Sequence, residues 1–209
     1  MNIKTVGLCG RSGSGKGYVS SLFARRNIPS IDTDAVYREL VSTPGAASGE
    51  CLSELRQEFG SGIIAKDGTL DRQALSRIVF APGCEERLRT LNSITHKYIL
   101  AKTLSYISVY AKMGKTAVLV DAPVLFESGF DSVCDITVFV SCPDEVGVQR
   151  ICRRDGISEF EALRRLSAQI PDDTLRKMCT AEIVNDGRPD TDVQAQVDAI
   201  IERYDLKGE

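Results

Sequence analysis

The spacing of apolar positions divides the chain into strand-like and helix-like stretches before any chemistry is considered. Thr5-Val6-Gly7-Leu8-Cys9 is a short apolar run of the kind shown by a strand buried on both faces, and Ile28 to Asp32 is a second. Between them Val19, Leu22 and Phe23 recur at helical spacing. From Ala35 to about Lys112 the pattern is helical, broken by turns at Pro44-Gly45 and Lys66-Asp67-Gly68. A long helix is predicted there from about Glu85 to Ala111. Strand runs resume at Ala117 to Asp121 and Ile136 to Val140. Two charged helical segments follow Pro143, about Asp144 to Arg153 and Ser158 to Gln169. A short strand near Ile183-Val184 and a helix from about Asp192 to Tyr204 close the chain. Strands alternating with helices predict an α/β fold with a parallel sheet covered on both faces, carrying a helical insertion.

Composition narrows the class. With 209 residues the chain suits one α/β domain with an elaboration, and 43% hydrophobic residues supply a core. A net charge of −3 argues against a protein that coats nucleic acid. No apolar run is long enough for a membrane-spanning helix, and the amino terminus lacks the pattern of a secretory signal. The seven cysteines are odd in number and form no C-x-x-C pair, which favours a reducing cytoplasm over a disulfide framework or a zinc site. Nothing in the sequence specifies an oligomeric state.

Candidate chemistry begins at Gly10-Arg11-Ser12-Gly13-Ser14-Gly15-Lys16-Gly17-Tyr18. This matches the phosphate-binding pattern G-x-x-x-x-G-K-[ST] except at Gly17, which stands where a hydroxyl is usual. In such a loop small residues let backbone N–H groups point at phosphate oxygens, the next helix adds its dipole, and Lys16 adds a mobile cation. Strand, glycine loop and helix occur here in the order the pattern requires, so a plain glycine-rich turn is the weaker reading.

Asp34 follows the second strand, at the rim where open α/β sheets bind ligands, and could take up or orient an attacking hydroxyl. Both Asp34 and Asp32 are equally readable as helix N-caps. Asp121 ends a strand and is a candidate ligand of Mg²⁺, directly or through water, or else a partner of loop amides; Glu127 could flank the same cleft. Arg150 and Arg154, four apart on one helical face, suit a phosphoryl group with developing charge. Such arginines also serve as solvated partners of nearby acids, here Asp155, Glu159 and Glu161. His96 is the only histidine, and lone histidines are more often structural.

These residues together resemble the dephospho-coenzyme A kinase family over nearly the whole chain. The resemblance runs through Gly7 to Lys16, Ile31-Asp32-Thr33-Asp34, Phe59-Gly60, Asp67 to Arg72 with Leu75 and Val79-Phe80, and His96-Lys97. It continues through Asp121 to Glu127, then Gln149-Arg150, Arg154, Ala162, Arg165 and Gln169, and ends at Asn185-Asp186-Gly187. It implies a three-layer P-loop kinase that transfers the γ-phosphate of ATP, with Mg²⁺, to the 3′-hydroxyl of dephospho-coenzyme A. It also implies three parts: a nucleotide core at 1–33, 113–142 and 171–209, a helical acceptor-binding insertion at 34–112, and a lid at 143–170. Asp34 then engages the acceptor hydroxyl, while Lys16, Arg150 and Arg154 stabilise transferred charge. Asp32, Asp71, Arg72 and His96 fall in or near the acceptor site.

Three departures stand out: Gly17-Tyr18 replaces Ser-Thr, and Lys97 replaces proline. Because Mg²⁺ keeps several waters readily, the missing hydroxyl predicts weaker metal affinity rather than loss of nucleotide binding. A kinase of another nucleoside or nucleotide, and a nucleotide-binding module with weakened catalysis, remain the alternatives.

Overall fold

A computed structural model describes residues 3–42, 46–188 and 190–207; the expected Pro44-Gly45 turn lies outside the described residues. In chain order the elements are β1 (Lys4–Cys9), α1 (Lys16–Arg25), β2 (Ser30–Asp32), α2 (Thr33–Ser42), α3 (Ala46–Phe59), α4 (Arg72–Val79) and α5 (Glu85–Lys112). Then come β3 (Ala117–Asp121), β4 (Ile136–Ser141), α6 (Asp144–Asp155), α7 (Glu159–Ser167), α8 (Asp172–Met178), β5 (Ala181–Val184) and α9 (Asp190–Arg203). Single 3₁₀ turns occupy Ser61–Ile63 and Phe130–Val133.

Contacts gather the chain into two units, Met1–Ile31 with Ile107–Glu209, and Asp32–Tyr106. The division thus falls inside α5 rather than at its end, and the 143–170 stretch belongs by its contacts to the first unit. A helix that leaves one core and enters another carries no sequence break at the crossing.

In the first unit the strands lie in the order β2-β3-β1-β4-β5, with β1 parallel to both β3 and β4, and β4 parallel to β5. Register pairs Leu8 with Asp121 and Cys9 with Phe139, so the loop after Cys9 leaves the middle of the sheet at its carboxyl edge. That edge is where open parallel sheets take ligands. Alternate β1 side chains face opposite layers. Val6 and Leu8 join Val19, Leu22 and Phe23 of α1 and Val193, Val197, Ile200 and Ile201 of α9 in one core. On the other face Gly7 leaves room for Leu125, whose methyls stand 3.0 and 3.2 Å from where a Cβ would be. Leu22 and Phe23 are fully buried, each contributing roughly 1.5–3 kcal/mol. This clamps the helix that opens at the glycine loop.

The second unit is helical, with its own core of Val41, Cys51, Leu55, Ile63, Leu70, Leu75, Val79 and Ile94. The Lys66-Asp67-Gly68 turn is closed by Asp67, whose carboxylate accepts from the Thr69 amide and hydroxyl, and Ile64 bridges Leu70 across it. Glu39 on α2 accepts from Tyr106 and pairs with Lys102 on α5. The Tyr106 hydrogen bond and then Lys102 hold that carboxyl below its usual range.

Three elements differ from expectation. β2 begins at Ser30 because Pro29 lacks an N–H, and Ile28 is a core residue reached after a left-handed Asn27. β5 starts earlier than expected, at Ala181. Helix α8 shows no periodicity in sequence, since two turns with Leu175 as their one buried residue leave nothing to recur.

Candidate functional site: a phosphate-binding loop

The loop from Gly10 to Gly15 joins β1 to α1, and its backbone path requires glycine at two crowded points. Gly13 has φ +79°, and a Cβ there would stand 2.4 Å from the Gly147 carbonyl oxygen of α6. Gly15 has φ +92°, and a Cβ there would stand 2.2 Å from Asn185 Nδ2. Both conformations are open to glycine and strained for other residues.

Several side chains brace the loop by taking up its carbonyl oxygens. Arg150 Nη1 donates to the carbonyls of Gly13 at 3.2 Å, Ser14 at 3.4 Å and Asn185 at 3.3 Å. Asn185 Nδ2 donates to the Ser14 carbonyl at 2.8 Å, while its Oδ1 accepts from Arg150 Nη2. With carbonyls drawn to one side, the loop can present amides on the other, which is how a backbone nest takes an anion. Lys16 Nζ donates to the Gly10 carbonyl at 2.8 Å, spanning the mouth of the loop. Helix α1 starts with no side-chain cap and no acidic residue in its first turn, so its own residues leave the positive end of its dipole uncompensated.

The charges are unevenly spent. Arg11 is paired with Asp144 and Asp172, which ties the loop to α6 and α8. Among the described residues Arg150 pairs with no carboxylate, so its charge remains available to phosphate oxygens. Arg154 faces Asp155, donating at 2.7 and 2.9 Å, and Arg165 shares the same acid. Those two arginines, Arg154 first, hold the Asp155 carboxyl far below its usual range. Spacing therefore put Arg150 and Arg154 on one helix, but the loop network holds Arg150 while Arg154 is engaged with its neighbour.

Ser12 donates its amide to Gln169 Oε1 at 2.9 Å. Ser14 is buried with its hydroxyl unpartnered. Gly17 is exposed, and a Cβ there would meet nothing within 4 Å. The Tyr18 ring packs against the main core, so its side chain serves the fold. Asp121, half-buried at the end of β3, sits beside Leu8 in register just before the loop. Glu127, Gly10 and Arg11 line one cavity of about 130 Å³.

In the second unit the two acids at the end of β2 and the start of α2 separate clearly. Asp32 is the cap: its Oδ1 accepts from the amides of Asp34 at 2.8 Å and Ala35 at 3.1 Å, and its Oδ2 lies 3.5 Å from Arg38. Asp34 is therefore not spent on capping; it stands exposed in the first turn of α2. Asp71 caps α4 through the Ala74 amide at 2.9 Å, and Arg72 lies over the Tyr37 ring at 5.8 Å. His96 is half-buried on α5. Next to it, Lys97 donates to Glu54 at 2.7 Å, as does the Tyr98 hydroxyl at 2.8 Å. Lys97 first, then Tyr98, keeps the Glu54 carboxyl low, and bonding to Glu54 pushes the Tyr98 phenol up to about 12. The cavity of about 780 Å³ beside them is lined by Glu50, Glu54 and Glu58, which would repel a polyanionic acceptor.

This architecture has clear relatives. The family model described as dephospho-CoA kinase matches residues 4–191, from the first strand into the last helix. The chain belongs to the dephospho-CoA kinase family. A dephospho-CoA kinase of Symbiobacterium thermophilum is 37% identical over 94% of this chain and 80% of its own. One from Corynebacterium efficiens is 34% identical over 94% of both chains. A solved dephospho-CoA kinase from Campylobacter jejuni shares the fold with a TM-score of 0.69, at 24% identity over 98% of both chains. Members of this kinase family use ATP, and among the described residues no helix is long and apolar enough to cross a membrane.

Gln169 and Asn185 lie in stretches that carry the family resemblance, but chemistry alone does not single them out as site residues; their bonds to the Ser12 amide and the Ser14 carbonyl do. The geometry predicts opposite outcomes for two glycines of one loop. Gly15→Ala should raise the Kd for ATP by at least tenfold, or about 1.4 kcal/mol, by driving Asn185 off the loop. Gly17→Ala should leave that Kd unchanged and stabilise α1 by up to about 1 kcal/mol. Titration calorimetry and thermal melting read both; equal affinities for the two variants would contradict the bracing.

Proposed function

We propose that this chain transfers the γ-phosphate of ATP to the 3′-hydroxyl of dephospho-CoA, yielding CoA and ADP. The observation that carries this reading is the family match over residues 4–191, which unites the loop, Asp34 and Arg150 in a single chain. Cytoplasmic location is part of the same proposal and rests on the unpaired cysteine pattern.

In phosphoryl transfer the protein mainly positions the reactants and meets charge on the transferred group. Backbone amides of the Gly10 to Gly17 loop, those of Ser12 and Ser14 excepted because they bond Gln169 and the Arg11 carbonyl, hold the β- and γ-phosphates. Lys16 and Arg150 face charge developing on the γ-phosphoryl oxygens, and Arg154 joins them only by leaving Asp155. Asp34 orients the acceptor hydroxyl and receives its proton; the division of labour with Asp32 supports this role. Asp32, Asp71, Arg72 and His96 belong to the unit that we assign to acceptor binding, with the first two also capping that unit's helices.

Mg²⁺ fits the donors present. Asp121 offers a carboxylate beside the loop, and Gly17 leaves open space where a side-chain hydroxyl would otherwise stand. Asp121 would hold the ion, directly or through water, with substrate phosphates and further waters completing its shell. When bound, the metal neutralises charge between the phosphates. Every other role falls to the chain's own groups.

With ATP and Mg²⁺, ADP formation should depend on dephospho-CoA and yield a product heavier by one phosphoryl group. Asp34→Asn should lower kcat on the order of 10²-fold while leaving the Kd for ATP unchanged. Turnover of a nucleoside but not of dephospho-CoA would reassign the acceptor, and an unchanged kcat would remove Asp34 from the chemistry. Gly17→Ser, which fits without collision, should lower the Mg²⁺ concentration for half-maximal rate. A flat or raised requirement would dismiss the replacement of the hydroxyl by water.

A further inference from the structure

Two thiols outside the phosphate-binding machinery meet directly beneath it. The sulfurs of Cys9 and Cys179 lie 3.4 Å apart. Cys9 is the last residue of β1, 2% exposed and adjacent to Gly10; Cys179 follows α8 and is half-buried. By contrast, Cys134 and Cys142 direct their sulfurs to the main-chain carbonyls of Phe130 and Gly13. Helix α8 grips the loop at both ends, since Asp172 in its first turn pairs with Arg11. The cavity of about 130 Å³ reaches Cys9, Gly10 and Leu175 together, leaving space beside the buried thiol.

We propose that Cys9 and Cys179 form a reversible disulfide, a modification site that weakens ATP binding when a peroxide oxidises it. Hydrogen bonding from the Cys9 thiol lowers the Cys179 pKa, so the more accessible sulfur is the better nucleophile. The bond to Cys179, then burial, keep Cys9 protonated. The Cys179 thiolate attacks a peroxide oxygen: an S–O bond forms, the O–O bond breaks, and the departing hydroxide takes up a proton as water. The sulfur of Cys9, losing its proton, then attacks the Cys179 sulfenic acid. The S–S bond forms, the S–O bond breaks, and a second water leaves. In total two thiols and one hydrogen peroxide give one disulfide and two waters.

Closure must draw the sulfurs from 3.4 Å to about 2.05 Å. Cys9 cannot move alone. Its neighbour Gly10 holds Lys16 through its carbonyl, and a Cβ at Gly10 would already stand 2.5 Å from the Val140 carbonyl oxygen. The displacement therefore passes into the first residue of the phosphate cradle. A cysteine pair of this kind in a reducing compartment acts transiently, as a redox sensor.

The test uses the full chain treated with excess hydrogen peroxide. Non-reducing peptide mass mapping should find the Cys9 and Cys179 peptides joined, lighter by two hydrogens. The Kd for ATP should rise at least about fivefold, or roughly 1 kcal/mol, and return on adding a dithiol. Cys179→Ser should bind ATP normally before oxidation and lose the response, with Cys179→Ala as a second variant if the first does not fold. A sulfinic acid at Cys179 without a cross-link, or a cross-link to another cysteine, overturns the pairing. A Cys9–Cys179 cross-link with unchanged Kd overturns the coupling to the loop. Both readouts are independent of the acceptor, so they stand or fall separately from the kinase reading.

Discussion

An anion can be held by backbone amides only if the carbonyls of the same peptides are satisfied elsewhere. In this chain that constraint is met by Arg150 and Asn185, which together take up the carbonyls of Gly13 and Ser14. The positive φ of Gly13 and Gly15, the close passage of α6 at Gly147, and the burial of α1 all serve this one arrangement. Arg150 thereby has two tasks. It shapes the cradle through neutral oxygens and, among the described residues, pairs with no carboxylate, which is what its proposed role toward phosphate requires.

The substitution at Gly17 is tolerable for the same reason. The cradle depends on main-chain groups and on side chains reaching the loop from α6 and from beyond β5, none of which involves a side chain at position 17. What is lost is one oxygen donor, and under the proposed Mg²⁺ binding water can take that role. Elsewhere the chain compensates departures locally. Lys97, which stands where the family has proline, is an ordinary helical residue paired with Glu54.

Much of the architecture was legible because burial writes itself into the sequence. The β1 run, the spacing of Val19, Leu22 and Phe23, and the start of α5 at Glu85 all follow from apolar periodicity. Helix α8 was not legible, since a single buried leucine makes no period. The candidate site was legible where a backbone geometry demands particular residues, as in the glycine loop. It was illegible where one residue type serves two ends. Asp32 and Asp34 are indistinguishable by spacing, and only the amides of Asp34 and Ala35 show which one caps the helix. Arg150 and Arg154 share a helical face, yet one meets carbonyls and the other meets Asp155.

The central claim is that this braced loop grips a triphosphate. Titration calorimetry of ATP with Mg²⁺ into the purified chain, run at two temperatures so that a vanishing enthalpy does not mislead, tests it most directly. A single saturable site per chain is the predicted result. Absence of binding heat at both temperatures would contradict the account.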